Sequence, residues 1–537
     1  MIDKLSNQSR IIIATVLSFL FFATYDYFFI PKKDVAIEPT TKVEKSTASQ
    51  IAPTSSPSIN TKENVPTNNT TVTSENKEEL IAKVISDNYE LHIDRLGRIS
   101  RFFLKESKYT DENGNRLQLI DIESSAYPLE IRFSDTTLNT QAFATSYTSS
   151  VSNLKVKKGG SSLTLTQSLN GLHVKKILTF FPNGNYHLEV KLDSAKDYFI
   201  TPGFRPNVAV DKMTFHGSLI KEADDTLRVI DSGDAVGEKG AMAAKFAAST
   251  DRYYATMFYN LDTGMDVVVT PAKDDFPLLF VKGKEDLKLG GYIGPKDHKV
   301  LVAIDPRLTD VIEYGFFTFI SRPLFMLLQF LHSVVGNWGW AIVLMTILIR
   351  FVLFPLTYKG MVSMNKLKAL SPKIKELQAK YKGDKQKLNT HMMELYKKEG
   401  ANPMGGCLPM LLQIPVFFAI YRVLQNAIEL KGAEWILWVD DLAVMDPYYI
   451  LPVAMGITMF LHQRITPTNF TDPMQEKIMK FLPLIFTFFF VTFPAGLTLY
   501  WFTNNLFSIA QQYYVNSLFA KGKKKEIEAA TEKKAKK

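Results

Sequence analysis

Six apolar runs dominate this sequence, one near the N-terminus and five crowded into about the last 200 of its 537 residues. In hydrocarbon every backbone donor and acceptor must be satisfied within the protein, which a helix does one segment at a time. Such a chain folds with part of its length in a bilayer. The C-terminal spans are read at residues 337–358, 403–430, 448–463, 477–493 and 494–516, the last two joined by the tight turn Pro494-Ala495-Gly496. The mean hydropathy of −0.03 conceals them, because the middle of the chain is polar.

The N-terminal run, Ile11–Ile30, holds 20 residues with Asp26 as its one charge. At about 1.5 Å per residue it crosses a hydrocarbon core of about 30 Å. It exceeds the apolar core of a signal peptide and lacks a clean small-x-small site, so residues 1–31 are read as an uncleaved anchor, with a cleaved signal as the rival. Residues 32–79 turn to Thr, Ser, Pro, Asn, Lys and Glu with no aromatic. That composition cannot offset its ordering entropy and predicts a disordered tether. From 80 to 305 the apolar period becomes two, as at Tyr89, Leu91 and Ile93, with turn signals at Gly159-Gly160, Pro182-Asn183-Gly184-Asn185 and Gly290-Gly291. This is the pattern of an antiparallel β-sandwich. Residues 306–336, rich in Phe and Leu and interrupted at Pro323, read as an amphipathic helix lying in the membrane interface.

Charge sets the orientation. The net charge of +9 is local: Lys359 to Gly400 carries a net +7, the tail after Ala520 +5, and the loop from Lys431 to Pro447 −3. By the positive-inside rule residues 359–402, 464–476 and 517–537 are cytoplasmic, 431–447 is external, both termini are inside and the β domain is outside. Within 359–402, Ile374, Leu377 and Tyr381 recur at helical spacing, Gly383-Asp384 makes a turn, and Leu388, Met392 and Leu395 repeat the pattern, which predicts a helical hairpin. Two roles are open for it: a lysine-rich pair that enforces topology, or a docking surface for acidic partners.

One cysteine, Cys407, excludes an internal disulfide framework, a CxxC redox centre and any multi-thiolate metal site. The β region shows no HExxH, no P-loop, no Gly-x-Ser-x-Gly and no paired carboxylates, so neither cofactor nor catalysis is expected. The informative residue is Arg350, inside the second span. A guanidinium near a helix centre costs about 2.5–3.5 kcal/mol on insertion scales. It either snorkels to the cytoplasmic interface or works in a wet groove. Thr346, Arg350 and Thr357 share one helix face. Gln413, Tyr421 and Gln425 stripe the third span, and Tyr500, Asn504, Ser508 and Gln511 the sixth. Such faces must turn toward each other or toward water, which favours the groove. Within the five C-terminal spans, the third taken as Met404–Ile428, there is no Asp or Glu that could form a proton relay. A small-solute transporter and an anchored carbohydrate enzyme are the rival classes.

The run Asn402-Pro403-Met404-Gly405-Gly406-Cys407-Leu408-Pro409-Met410-Leu411-Leu412-Gln413-Ile414-Pro415 resembles the third-span signature of the YidC-type membrane-protein insertases. Asp472-Pro473-Met474-Gln475 and Phe493-Pro494-Ala495-Gly496-Leu497 resemble the later spans, and the likeness covers essentially the whole chain. It implies a Gram-negative inner-membrane protein with a periplasmic β-supersandwich and a five-helix core. Such a protein inserts and folds nascent membrane proteins, alone or with the Sec translocon. Its cytoplasmic loops would face the ribosome and signal recognition machinery, and its core would be monomeric. The groove arginine matches Arg350, a threonine one turn earlier matches Thr346, and Gln413, Tyr500 and Trp501 would line the groove. Many relatives carry two tyrosines where this chain has Tyr500-Trp501, so one hydroxyl is lost. The implied mechanism has Arg350 attract an acidic tail of the substrate, whose apolar helix then slides along the third and sixth spans into lipid.

Overall fold

The computed structural model describes residues 65, 79–111, 114–120, 124–209, 214–272, 275–381, 383–400, 408–466 and 473–535. The expected anchor, the 402–407 end of the third-span signature and Asp472 lie outside the described residues.

Alternating sequence becomes alternating burial. In the strand Leu172–Phe180, Leu172, Val174, Lys176, Leu178 and Phe180 are buried and the residues between them are exposed or half-buried. It pairs antiparallel with Ser161–Leu169 and Asn185–Leu192 inside a nine-stranded sheet. A five-stranded sheet, in the spatial order Ala241–Ala244, Met265–Pro271, Pro277–Gly283, Tyr198–Ile200 and Ile131–Phe133, and a four-stranded sheet share one apolar core with it. Among the described pairs only Leu80–Ile85 with Asn153–Lys155 is parallel. The outer face of the five-stranded sheet has its own small core of Phe199, Leu278, Phe280 and Ala126, and Val65 is buried in it. Val65, within the stretch read as a tether, thus rests on the β domain.

Two short helices punctuate the β domain: α1 (Thr136–Ala144), capped by Asp135, and α2 (His298–Ile304), capped by Asp297. Two 3-10 turns, Pro306–Val311 and Gly315–Phe317, lead into α3 (Thr318–Val335). The interruption expected at Pro323 does not occur. The proline sits in the second turn of α3, where it forfeits one hydrogen bond and the helix continues through it.

The remaining helices are α4 (Trp338–Ala369), α5 (Ser371–Lys380), α6 (Lys385–Lys398), α7 (Leu408–Asn426), α8 (Ile450–Ile465), α9 (Pro473–Phe490) and α10 (Ala495–Ala535). By length and composition Gly315–Val335 and Trp338–Ala369 are apolar enough to cross a membrane, and Ile450–Ile465 is a shorter apolar helix. The outward faces are greasy: Val352 and Phe488 are each 78% exposed and Leu484 69%. In water such a surface would drive aggregation, and in lipid it is the solvated face. The hairpin forms where the turn residues stand. Gly383 adopts φ +109° and the Asp384 carboxylate caps α6 by accepting from the Lys387 N–H at 3.0 Å. Ile374, Met392 and Leu395 meet between α5 and α6.

Residues 427–449 lie across one end of the helices. Gly496 N–H donates to the Leu442 carbonyl at 2.9 Å and Ala495 N–H to that of Val444 at 2.7 Å. Leu430, Val439 and Leu442 are buried beneath. The β domain docks on the same end: Arg252 Nε donates to the Gln425 carbonyl at 2.8 Å, Asn426 Nδ2 to that of Glu313 at 2.6 Å, and His298 N–H to Glu429 Oε1 at 3.2 Å.

Candidate functional site

The site begins with the burial pattern of α4. Ile342, Met345, Thr346 and Arg350 are buried, whereas Leu348, Phe351 and Val352 are exposed, so a helix-period stripe turns inward and carries the arginine with it. Arg350 is 7% exposed. Its Nε donates to Oδ1 of Asn504 on α10 at 2.7 Å. From α7, Gln413 Nε2 approaches the same Oδ1 at 3.5 Å, the limit of a hydrogen bond. Gln511 Nε2 reaches the backbone carbonyl of Arg350 at 3.4 Å, and Ser508 Oγ donates to the Asn504 carbonyl at 2.7 Å. Three helices thus bring an arginine and amides to one spot. Among the described residues no carboxylate pairs with Arg350.

Of the other residues read from sequence, Tyr500 is 3% exposed, sits one turn before Asn504 and lies within electrostatic reach of Arg350. Thr346 shares the buried face, but its hydroxyl donates to the Ile342 carbonyl of its own helix at 2.7 Å. Trp501 points elsewhere. Its ring packs among Phe417, Phe486 and Phe490, at centroid distances of 4.7, 6.2 and 5.3 Å, as part of an aromatic wall between α7, α9 and α10. A step of one residue turns a helix by about 100°, which is why neighbours 500 and 501 face different surroundings.

Gln511, whose Nε2 reaches the Arg350 carbonyl, has its Oε1 buried with no protein partner; Asn505 Nδ2, Gln425 Oε1 at the β-domain end of α7 and Trp501 Nε1 in the aromatic wall are likewise buried without one. Polar atoms left so in a low-dielectric interior are expensive unless water or a ligand reaches them. Sequence reasoning missed a second polar seam toward the other end of α4. Asn365 Nδ2 and Gln512 Nε2 each donate to Asn516 Oδ1 at 2.8 Å, and Asn516 Nδ2 donates to the Ile465 carbonyl at 3.1 Å. The i, i+4 spacing of Gln512 and Asn516 was the available signal.

The β domain holds a cleft of about 900 Å³ bordered by Phe181, Asn185, His187, Tyr259 and Arg307. Its carboxylates are taken: Asp305 and Asp262 by Arg307, and Glu189 by Lys191 and Lys288. Among the described residues no group of side chains has the makings of a metal site.

Residues 82–327 match the family model for the YidC periplasmic domain, and residues 330–524 match that for the 60Kd inner membrane protein. The membrane protein insertase YidC of Campylobacter jejuni is 53% identical over 98% of this chain and 99% of its own length. Its counterpart from Wolinella succinogenes is 54% identical over 96% of both chains. That of Helicobacter pylori is 46% identical over 97% of this chain and 98% of its own length. The match runs through both the β domain and the helical domain, at an identity that leaves the fold and the role in common. The chain belongs to the YidC family of membrane protein insertases.

Proposed function

We propose that this insertase receives an acidic segment of a nascent inner-membrane protein in a hydrated groove at Arg350, then releases the following apolar helix along α7 and α10 into lipid. The observation that carries the reading is the state of the arginine: buried, bonded to an uncharged amide, and next to Gln511, whose Oε1 has no protein partner. A cation in that state keeps its charge available to a passing carboxylate. Moving about 20 apolar residues from water to hydrocarbon supplies the driving force, so the step calls for no nucleotide or metal. Gln413 and Tyr500 line the path, and the Trp501 wall offers an apolar surface beside it. On this reading one copy suffices, alone or beside the Sec translocon. Both termini are cytoplasmic, and the lysine-rich hairpin and tail meet the ribosome and signal recognition machinery.

The experiment is insertion of a single-span substrate with an acidic tail in cells that depend on the variant protein. Arg350→Ala should reduce insertion by roughly tenfold or more, the size of a lost charge-assisted contact, while Arg350→Lys should keep a substantial part. Undiminished insertion by the alanine variant sinks the reading.

A further inference from the structure

Arg350 is held from one side. Its Nε is bonded to Asn504, and among the described residues no other hydrogen bond reaches the guanidinium. Asn504 is itself 6% exposed and fixed on α10, its carbonyl accepting from Ser508. Gln413 arrives at the same Oδ1 from α7, so the amide oxygen faces two donors and the amide orientation is settled by them.

We propose that Asn504 is the positioning residue of Arg350: an acceptor that fixes the plane of the guanidinium through Nε without cancelling its charge, and so aims the two terminal nitrogens at a carboxylate of the incoming chain. This rests on the reading of Arg350 given above and extends it to the choice of side chain at 504. The guanidinium is planar, so one in-plane bond at Nε orients the opposite edge, whose two parallel donors match the two oxygens of a carboxylate. An apolar residue at 504 would leave the buried cation without an acceptor and free to snorkel along α4. An aspartate would hold it as well or better, but as a closed ion pair with nothing left to offer. An uncharged amide holds the group and leaves it open. The substrate class so selected is a segment bearing Asp or Glu, taken in extended form because its side chain must reach the end-on edge.

The test compares the insertion of one single-span substrate carrying either an acidic tail or the same tail with its acids changed to amides. The readout is the ratio of the two in cells relying on wild type, Asn504→Asp, Asn504→Gln, Asn504→Leu or Arg350→Ala. Asn504→Asp is nearly isosteric and keeps the acceptor, so a purely structural role would leave the ratio alone. Positioning without quenching predicts that it falls by roughly tenfold, one charge-assisted contact. A wild-type ratio in Asn504→Asp overturns the proposal. If that variant does not accumulate, Asn504→Gln and Asn504→Leu decide: the ratio should be retained with glutamine and lost with leucine, and equal ratios overturn it. Loss of the ratio in Arg350→Ala with a wild-type ratio in Asn504→Asp rejects the positioning role alone. A wild-type ratio in Arg350→Ala rejects the reading on which it rests.

Discussion

Lys176 shows what a single residue can do that its place in a pattern does not announce. It occupies an inward position of the strand Leu172–Phe180, where its neighbours in the pattern are Val174 and Leu178, and it is fully buried. Its Nζ donates to the carbonyls of Gly97 at 3.0 Å and Leu129 at 2.8 Å and lies 4.4 Å from the centre of the Tyr147 ring. Both carbonyls belong to residues with positive φ, +64° at Gly97 and +72° at Leu129, the latter a conformation that a leucine rarely adopts. The ammonium pins two left-handed turns at once. Burial holds the Lys176 ammonium down to about 7, with Asp94 and Glu130 acting against that fall and Arg98 adding to it. Between about pH 7 and 10.5 the unfolded chain therefore carries a proton that the folded chain lacks, so stability rises with pH across that window and is flat below it. In thermal unfolding of the detergent-solubilised protein, Lys176→Met should remove its share of that slope and leave the part that Lys296, held down to about 8 by burial, supplies. It should also cost about 1–3 kcal/mol, because two buried carbonyls lose their donor. An unchanged slope would show that some other group titrates. Nothing local in the sequence announces that use, since the two carbonyls come from segments 79 and 47 residues away.

The elements of the helical domain were legible to different depths. The hairpin α5–α6 appears where glycine and aspartate mark the turn, because a left-handed glycine and a capping carboxylate are local requirements. The helix α4 runs to Ala369, beyond the limit of 358 read from hydropathy. Hydropathy sees lipid contact, whereas backbone hydrogen bonding continues into water wherever helix formers follow. The segment 427–449 offered no periodicity, and beside its backbone bonds to Ala495 and Gly496 one side chain fastens it. Asp446, 1% exposed, accepts from Trp438 Nε1 at 3.0 Å, Tyr448 N–H at 3.0 Å and Leu451 N–H at 2.7 Å, and so ties the segment to the first turn of α8. Asp446→Ala should cost about 2 kcal/mol, with faster proteolysis confined to residues 427–449. Cleavage no faster than wild type would mean that the contacts of Gly496 and Ala495 hold the segment by themselves.

Across the whole molecule, the β domain sits on one end of the helices through Arg252, His298 and the Glu313 carbonyl, while Arg350, Asn504 and Gln413 come from α4, α10 and α7. Among the described residues, none of the β domain takes part in the arginine's hydrogen bonds. Removal of residues 80–300 should therefore leave substrate insertion in place and lower the unfolding temperature of the helical domain, which loses its docking partners. Abolished insertion in a protein that still accumulates would place part of the activity in the β domain. The sequence by itself determined the division into a β domain with water-facing strands and a helical domain with lipid-facing runs, the family, the hairpin turn and the inward face of α4. Hydrophobic period and turn chemistry act between near neighbours and are written locally. Only the tertiary structure decided that Asn504 meets Arg350, that Trp501 joins the aromatic wall and that Lys176 clasps two distant turns. Those pairings depend on how helices rotate and strands stack against partners on other elements, as with Arg350 and Asn504, 154 residues apart, and packing of all the neighbours together selects that rotation.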